Sequence, residues 1–272
     1  MLCRKPDVVG LSSSAPDNAL ALLTRVFPDF EQEIEGKDVL DFGCGAGFQS
    51  VAMAQCGARF VLGLDTNPKT LARARELGAS MGLEGRVEFV EALDRFGISV
   101  PPCSTQIPKH RVLRQAQDAQ EEFDIVISQN SMEHFPDPVA VLVEMKRALR
   151  PGGRIFVTFG PPWFAPYGSH MGFFTRVPWV NLLFPESAVM KARSRFVDDG
   201  AMRYGDVEGG LNKMTLRGFE RTVAQCGLVM TRRRYDCVKG LDFLAKVPYA
   251  RELFVNHVSC VLRQAQDAHR VT

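Results

Sequence analysis

"VLDFGCGAGFQS", residues 39–50, is an apolar run that breaks into glycines and resumes in residues suited to a helix. Glycines at 43, 45 and 47 directly after a strand let the backbone turn tightly and approach a ligand, and the helix that follows turns its N-terminus toward it. A dinucleotide fingerprint reads G-x-G-x-x-G, with the third glycine admitting close packing of helix on strand. Here the register is D-x-G-x-G-x-G, opened by Asp41, and Phe48 occupies the third fingerprint place. The acidic residue closing the next apolar run, Asp65 of "VLGLDTN", suits ribose hydroxyls whatever the rest of the ligand is. An adenosine compound is expected, and these two features leave open whether it is a dinucleotide.

Outward from the glycines, strand and helix signals alternate from residue 37 to 160. Lys37–Phe42, Arg59–Leu64, Val87–Val90, Phe123–Ser128 and Arg154–Phe159 are short, nearly continuous apolar runs, the pattern of parallel strands covered on both faces. Helices fit between them. One begins near Phe48, a second follows Pro68, and a third has Asp137 as N-cap and Pro138 as its first residue. The third places Val139, Leu142, Met145 and Leu149 on one face and stops at "RPGG". The fold class is α/β, a Rossmann-like doubly wound sheet. From 160 to 214 the texture becomes aromatic and proline-rich, without alternation, and predicts an inserted cap too short and broken for a core of its own. A helix over Leu216–Cys226 and strands near Leu228–Tyr235 and His257–Leu262 follow. The expected organisation is one domain: an N-terminal helical segment 1–36, a cofactor-binding core 37–159 with an inserted loop 98–122, the cap 160–214, the rest of the sheet 215–262 and a tail 263–272. "VLRQAQDA" occurs at 112–119 and again at 261–268, and its helix-favouring residues predict a short surface helix in each place.

Composition removes several function classes. A net charge of +2, from 33 Lys and Arg against 31 Asp and Glu, gives no electrostatic case for a nucleic-acid partner. The 7 cysteines include no C-x-x-C pair, which favours free thiols in a reducing compartment over a disulfide framework or a zinc site. The opening "MLCRKPDVVG" lacks a signal peptide's apolar stretch and no run approaches a membrane span, so a cytoplasmic protein is expected.

The later segments decide between the adenosine ligands. "FDIVISQNSMEHFPDP" followed by "VLVEMKRALRPGGRIFVTF" resembles the class I S-adenosylmethionine-dependent methyltransferases, in particular the small-molecule group of type 11 methyltransferase domains. "DFGCGAG", Asp65 and "LRPGG" in that order carry the resemblance, which covers roughly 37–160 well. It implies a seven-stranded sheet with an antiparallel last strand, supplied by His257–Leu262, and S-adenosylmethionine as cofactor. It implies that Gly43, Cys44, Gly45 and Gly47 line the amino-acid moiety, that Asp41 lies by the methionyl ammonium and that Asp65 takes the ribose hydroxyls. It places Glu91 near the adenine amino group and adds cofactor contacts at Thr66, Asn67, Ala92, Gln129 and Asn130.

Methyl transfer is an in-line displacement from a carbon that already carries a good leaving group, so positioning does most of the work. An oxygen acceptor also needs a base or a metal. Glu133 and His134 follow the fourth strand, and either act there or pin the loop before the Asp137 cap. In the similar O-methyltransferases of ubiquinone synthesis a further glutamate, three residues before the Glu-His pair, helps bind a divalent metal; here Asn130 stands at that place, and no metal is expected. His170, in "PPWFAPYGSH", is the other candidate base, against a reading as a packed histidine. Trp163, Phe164 and Tyr167, with His170, are the expected substrate contacts, and they suggest a bulky, apolar small-molecule acceptor. "GPPW" at 160–163 resembles the motif of methyltransferases acting on amino groups of bases, but follows the fifth strand where that motif follows the fourth. The expected activity is O-methylation of a small molecule. Its rivals are a non-catalytic cofactor-binding protein of the same fold and an NAD-dependent oxidoreductase.

Overall fold

The apolar runs around the glycines become strands, and the register between them is parallel. The computed structural model describes residues 19–92, 123–207 and 209–265. Strands β1 (Asp38–Phe42), β2 (Phe60–Asp65), β3 (Val87–Glu91), β4 (Phe123–Gln129), β5 (Leu149–Phe159), β6 (Leu228–Cys237) and β7 (Val255–Gln264) form one sheet in the order β3-β2-β1-β4-β5-β7-β6. The sequence order 3-2-1-4-5 is that of a doubly wound fold, with the reversal between β1 and β4. β1 pairs in parallel with β2 and β4, β2 in parallel with β3, and β6 runs antiparallel to β7. Val39, Leu40, Val61, Leu64, Val126 and Ile127 are fully buried, as expected where strands are covered on both faces.

The described residues divide into two compact units, one from 19–92 and 123–128 with 143–156, the other from 129–142 with 157–207 and 209–265. In the first, helices α1 (Ala21–Val26), α2 (Phe30–Ile34), α3 (Phe48–Gln55) and α4 (Pro68–Ser80) accompany β1, β2 and β3. Asn67 caps α4 by accepting from the Lys69 amide at 3.0 Å, and Pro68 opens the helix where no amide is needed. Phe89 of β3 organises this unit: a Cβ on Gly47 or on Gly63 would lie 2.6–2.8 Å from its ring. Gly47, with φ 79, is thus required twice, for its backbone and for the ring beside it. Below the strands, Arg150 bridges Asp38 and Asp124 at 2.9 Å each.

In the second unit the Asp137 carboxylate accepts from the amides of Val139 and Ala140, capping α5 (Pro138–Ala148) as the sequence suggests. The expected apolar face of this helix is corrected at one end: Leu142 and Met145 are buried, but Val139 is exposed, and Leu149 already belongs to β5. β5 therefore starts before "RPGG" instead of after it. Segment 160–214 contains α6 (Val180–Leu183) and α7 (Glu186–Arg193), and its apolar residues make a cluster after all, with Met171, Phe174, Val189, Met190 and Tyr204 buried together. α8 (Leu216–Gln225) and α9 (Ala250–Phe254) complete the unit.

The helix expected over the second "VLRQAQDA" is corrected in its first half, residues 266–268 lying outside the described residues. Val261–Gln264 end β7, where Val261 pairs with Arg232 and Leu262 with Met230, so cross-strand pairing overrides local helix preference. The first copy, the whole of the 98–122 loop and the first half of the N-terminal segment lie outside the described residues. Among the described residues no helix is long and apolar enough to cross a membrane.

Candidate active site

The glycine loop closes on itself through β2. The amides of Gly43 and Cys44 both donate to the Leu64 carbonyl, at 2.8 and 2.9 Å, and the Gly47 amide donates to the Cys44 carbonyl at 3.0 Å. Asp65 fastens the same loop: its Oδ2 accepts from the Gly45 amide and its Oδ1 from the Asn67 amide, both at 2.8 Å. The loop's own amides are therefore largely used inside the protein. Space is left at Gly45, where an added Cβ would meet nothing within 4 Å. Gly47 fills with Phe89 instead, so of these two glycines one leaves room and the other packs.

Asp41 is buried and its Oδ2 accepts from the Ser50 hydroxyl at 2.6 Å. Burial is the main force on its carboxyl and pushes the pKa up to about 7; the Ser50 hydrogen bond works against this and the Asp65 charge adds to it. Burial, with the Asp41 and Asp65 charges, likewise holds the Cys44 thiol far above its ordinary pKa, so it is an inert loop residue. Glu91 ends β3 opposite Asp65 in register and is half-buried; Ala92 beside it is buried. Thr66 is exposed, and the Asn67 side-chain oxygen serves as the α4 cap.

The remaining candidates lie in the second unit. Gln129 ends β4 with its Oε1 buried and without a partner. Asn130 takes a left-handed conformation, φ 51, and its amide donates to the Thr158 carbonyl at 2.7 Å. Next to it Glu133, His134 and His170 converge: one ligating atom from each lies within 4.8 Å of the others. The His134 and His170 rings meet edge to face with centroids 5.6 Å apart. Glu133 is 3% exposed, its Oε1 accepting from the Gly160 amide at 3.3 Å and its Oε2 without any hydrogen-bond partner. Burial raises the Glu133 pKa. His170 also sits at positive φ, 57, and burial followed by the neighbouring His134 lowers its pKa to about 4, which keeps the imidazole neutral.

Residues that sequence reading passed over hold this cluster. The Gly210 carbonyl lies 2.7 Å from His134 Nδ1, placing the ring proton there and leaving the Nε2 lone pair available. The Asn212 side-chain amide donates to the carbonyls of Met132 and Phe135 at 2.8 Å each, and its backbone amide to the Glu133 carbonyl at 3.0 Å. Only the turn-forming composition of "EGGLN" hinted at a loop there.

The proposed aromatic contacts separate. Trp163 packs edge-on against Tyr204 at 4.9 Å, on the cap's own apolar cluster. Phe164 lines a groove of about 530 Å³ with Leu182, Arg217, Arg221, Tyr249 and Leu253, a groove that none of Glu133, His134 and His170 lines. Tyr167 is exposed.

Known proteins give this geometry a context. Residues 40–157 match a family described as a methyltransferase domain. Over 130 residues the chain is 34% identical to the ubiquinone biosynthesis O-methyltransferase of Pseudomonas fluorescens (strain SBW25), covering 47% of this chain and 46% of that protein. The corresponding protein of Aeromonas salmonicida (strain A449) is 32% identical over 123 residues. The chain thus spans about half the length of the curated relatives it matches. Among solved structures, an S-adenosylmethionine-dependent methyltransferase from Mesorhizobium loti superposes with a TM-score of 0.56 at 19% identity, over 94% of this chain and 100% of that one. The cyclase SpnF superposes equally well, TM-score 0.56 at 15% identity over 97% of this chain and 86% of its own, so the fold alone does not fix the reaction. The family match falls on the strands that carry the glycine loop and on the turn that carries Glu133 and His134, so what these residues share with known proteins is a methyltransferase domain, on a fold also taken by an S-adenosylmethionine-dependent methyltransferase.

Proposed function

We propose that this chain transfers a methyl group from S-adenosylmethionine to a hydroxyl oxygen of a small molecule. The observation that carries the choice of oxygen is the meeting of Glu133, His134 and His170, a buried carboxyl and two imidazoles beside which a hydroxyl can lose the proton that its methylation requires. The name of the curated relatives, O-methyltransferases, agrees with it. On this reading the space at Gly45 and the first turn of α3 take the methionyl part of the cofactor, with Asp41 facing its ammonium. Asp65 and Glu91, level with each other at the ends of β2 and β3, take ribose and adenine. Asp65 then has two duties: Oδ1 accepts from the Asn67 amide and the Thr70 hydroxyl, while Oδ2, which holds the Gly45 amide, keeps a lone pair for a ribose hydroxyl.

The chemical step needs one proton removed. The acceptor O–H proton passes to His134 Nε2 and the oxygen lone pair attacks the methyl carbon. When bound, S-adenosylmethionine would supply the methyl carbon, the carbon–sulfur electrons going to sulfur so that the sulfonium leaves as a neutral thioether. The Nδ1–H bond to Gly210 fixes the tautomer this requires. A bulky, apolar acceptor suits the exposed cap side chains Tyr167 and Phe173, whereas Phe164 belongs to the separate groove. Five free thiols among the described residues suit a reducing compartment such as the cytoplasm.

The test is calorimetric titration with S-adenosylhomocysteine beside NAD, followed by transfer of labelled methyl to a panel of phenols and alcohols. Micromolar binding of the first ligand alone is expected, about −8 kcal/mol. Methyl transfer to hydroxyls should fall about 10²–10⁴-fold in His134→Ala with cofactor affinity kept. NAD binding would overturn the cofactor, and cofactor binding without transfer to any hydroxyl would make this a binding protein.

A further inference from the structure

We infer that Glu133, His134 and His170 form a binding site for a divalent transition metal, with His170 of the cap as the third ligand. The inference rests on placing acceptor chemistry at this cluster, and goes beyond it in assigning a ligand set and a class of ion. The residues fit a cation on three separate counts. Glu133 Oε2 is a buried carboxylate oxygen with no hydrogen-bond partner, an arrangement that costs free energy unless something positive meets it. His134 donates Nδ1–H to a backbone carbonyl, the outer-shell bond by which proteins orient an imidazole whose Nε2 ligates a metal. His170 brings a second imidazole to the same point from a different element. It is held there in a left-handed backbone conformation that a non-glycine residue adopts at a cost.

The donor set selects the ion. One carboxylate with two imidazoles is a borderline-soft set that suits zinc, cobalt, nickel or ferrous iron, whereas magnesium prefers carboxylate and water oxygens. Asn130, exposed at the end of β4, adds no charge that would favour magnesium. The ligating atoms lie within 4.8 Å of one another, against about 3.3 Å between the ligands of a tetrahedral ion, so binding requires the three side chains to draw together. Three protein ligands leave a coordination position open, as sites that work on a bound oxygen do. An ion held by Glu133, His134 and His170 would occupy the His134 Nε2 lone pair, and its charge would acidify the acceptor hydroxyl in place of that base, the proton then leaving to solvent.

The experiment needs neither cofactor nor acceptor, so its failure is separate from failure of the methyl-transfer reading. Chelator-treated full-length protein is titrated with Zn²⁺ and with Co²⁺, the latter followed by its visible absorption, each with and without excess Mg²⁺. One tightly bound Zn²⁺ or Co²⁺ per chain is expected, not displaced by Mg²⁺, with a Co²⁺ spectrum of nitrogen and oxygen ligation. His170→Asn keeps a residue that tolerates the left-handed backbone. It should weaken binding by more than the about 10–100-fold that loss of an outer-shell partner costs. Glu133→Gln, which keeps the shape and removes the charge, should do the same. All variants carry the same thiols, so a difference between them reads the cluster, and circular dichroism reports their folding. Affinity unchanged in both variants, a Co²⁺ spectrum of thiolate ligation, or equal competition by Mg²⁺ would each overturn the inference. If His170→Asn does not fold, Glu133→Gln decides alone.

Discussion

On the proposed reading, Asp41 is where a single side chain couples the fold to its ligand. Without a ligand it is a carboxyl whose folded pKa, about 7, lies above the ordinary 3.8, chiefly because burial disfavours its charge. The folded state then holds more protons at this group than the unfolded state does, so its contribution to stability falls as pH rises between those two values. A cationic ammonium reverses the preference, since it favours the ionised carboxylate, and binding becomes linked to release of a proton. S-adenosylhomocysteine affinity is therefore expected to rise with pH up to about 7 and to level off above it, changing by up to about tenfold per pH unit on the rising side. Asp41→Asn should bind more weakly and with a flat profile. Isothermal titration between pH 5.5 and 8.5 measures both, and a flat profile in the unaltered protein would remove Asp41 from the ammonium. The Ser50 hydroxyl, 2.6 Å away, holds the carboxylate in place for this role.

Around the Glu133–His134 turn the decisive contacts come from a loop far along the chain. Asn212 supplies three hydrogen bonds to residues 132–135, and Asn212→Ala removes the two made by its side chain, leaving the Met132 and Phe135 carbonyls short of a donor. A loss of about 1–3 kcal/mol in unfolding free energy is expected, read by urea denaturation. Asn212→Asp should cost at least as much, because it sets a carboxylate against two carbonyl oxygens; a smaller loss than in Asn212→Ala would show that the side chain does not clamp the turn. These contacts also mark what the sequence could and could not tell. Periodicity and caps identified β1 to β4, α4 from Pro68 and the Asp137 cap, because each depends on neighbours within a few residues. "RPGG" read as a break and the second "VLRQAQDA" as a helix because local preference points that way, yet "RPGG" and Val261–Gln264 lie in strands, the latter with partners distant in sequence. The candidate site divides in the same manner. Asp41, Asp65, Glu133 and His134 sit at strand ends that the pattern locates, whereas the approach of His170 to Glu133, and the support from Gly210 and Asn212, follow from tertiary structure alone.

Ligand linkage offers a test of the cofactor reading on the entire chain. The glycine loop, Asp41 and Asp65 belong to one of the two compact units, and Glu133, His134 and His170 to the other. The division runs through β4 and β5, each of which contributes residues to both units. Strands cannot be half melted without losing ladder hydrogen bonds along their length, which argues for one cooperative unfolding transition. A ligand that binds only the native state then stabilises the whole chain, by about 2.7 kcal/mol at a concentration 100 times its Kd. For a chain of this size that is a rise in Tm of about 5–10 °C in scanning calorimetry, carried by a single peak. NAD at the same concentration should leave Tm unchanged. With no disulfide among the described cysteines, adding a reductant should not alter the outcome. A ligand-induced shift confined to one of two separate peaks would mean that the units unfold independently. Absence of any shift under conditions where calorimetry detects binding would contradict the linkage itself, so the pair of measurements also checks that the ligand engages folded protein and not a misfolded fraction.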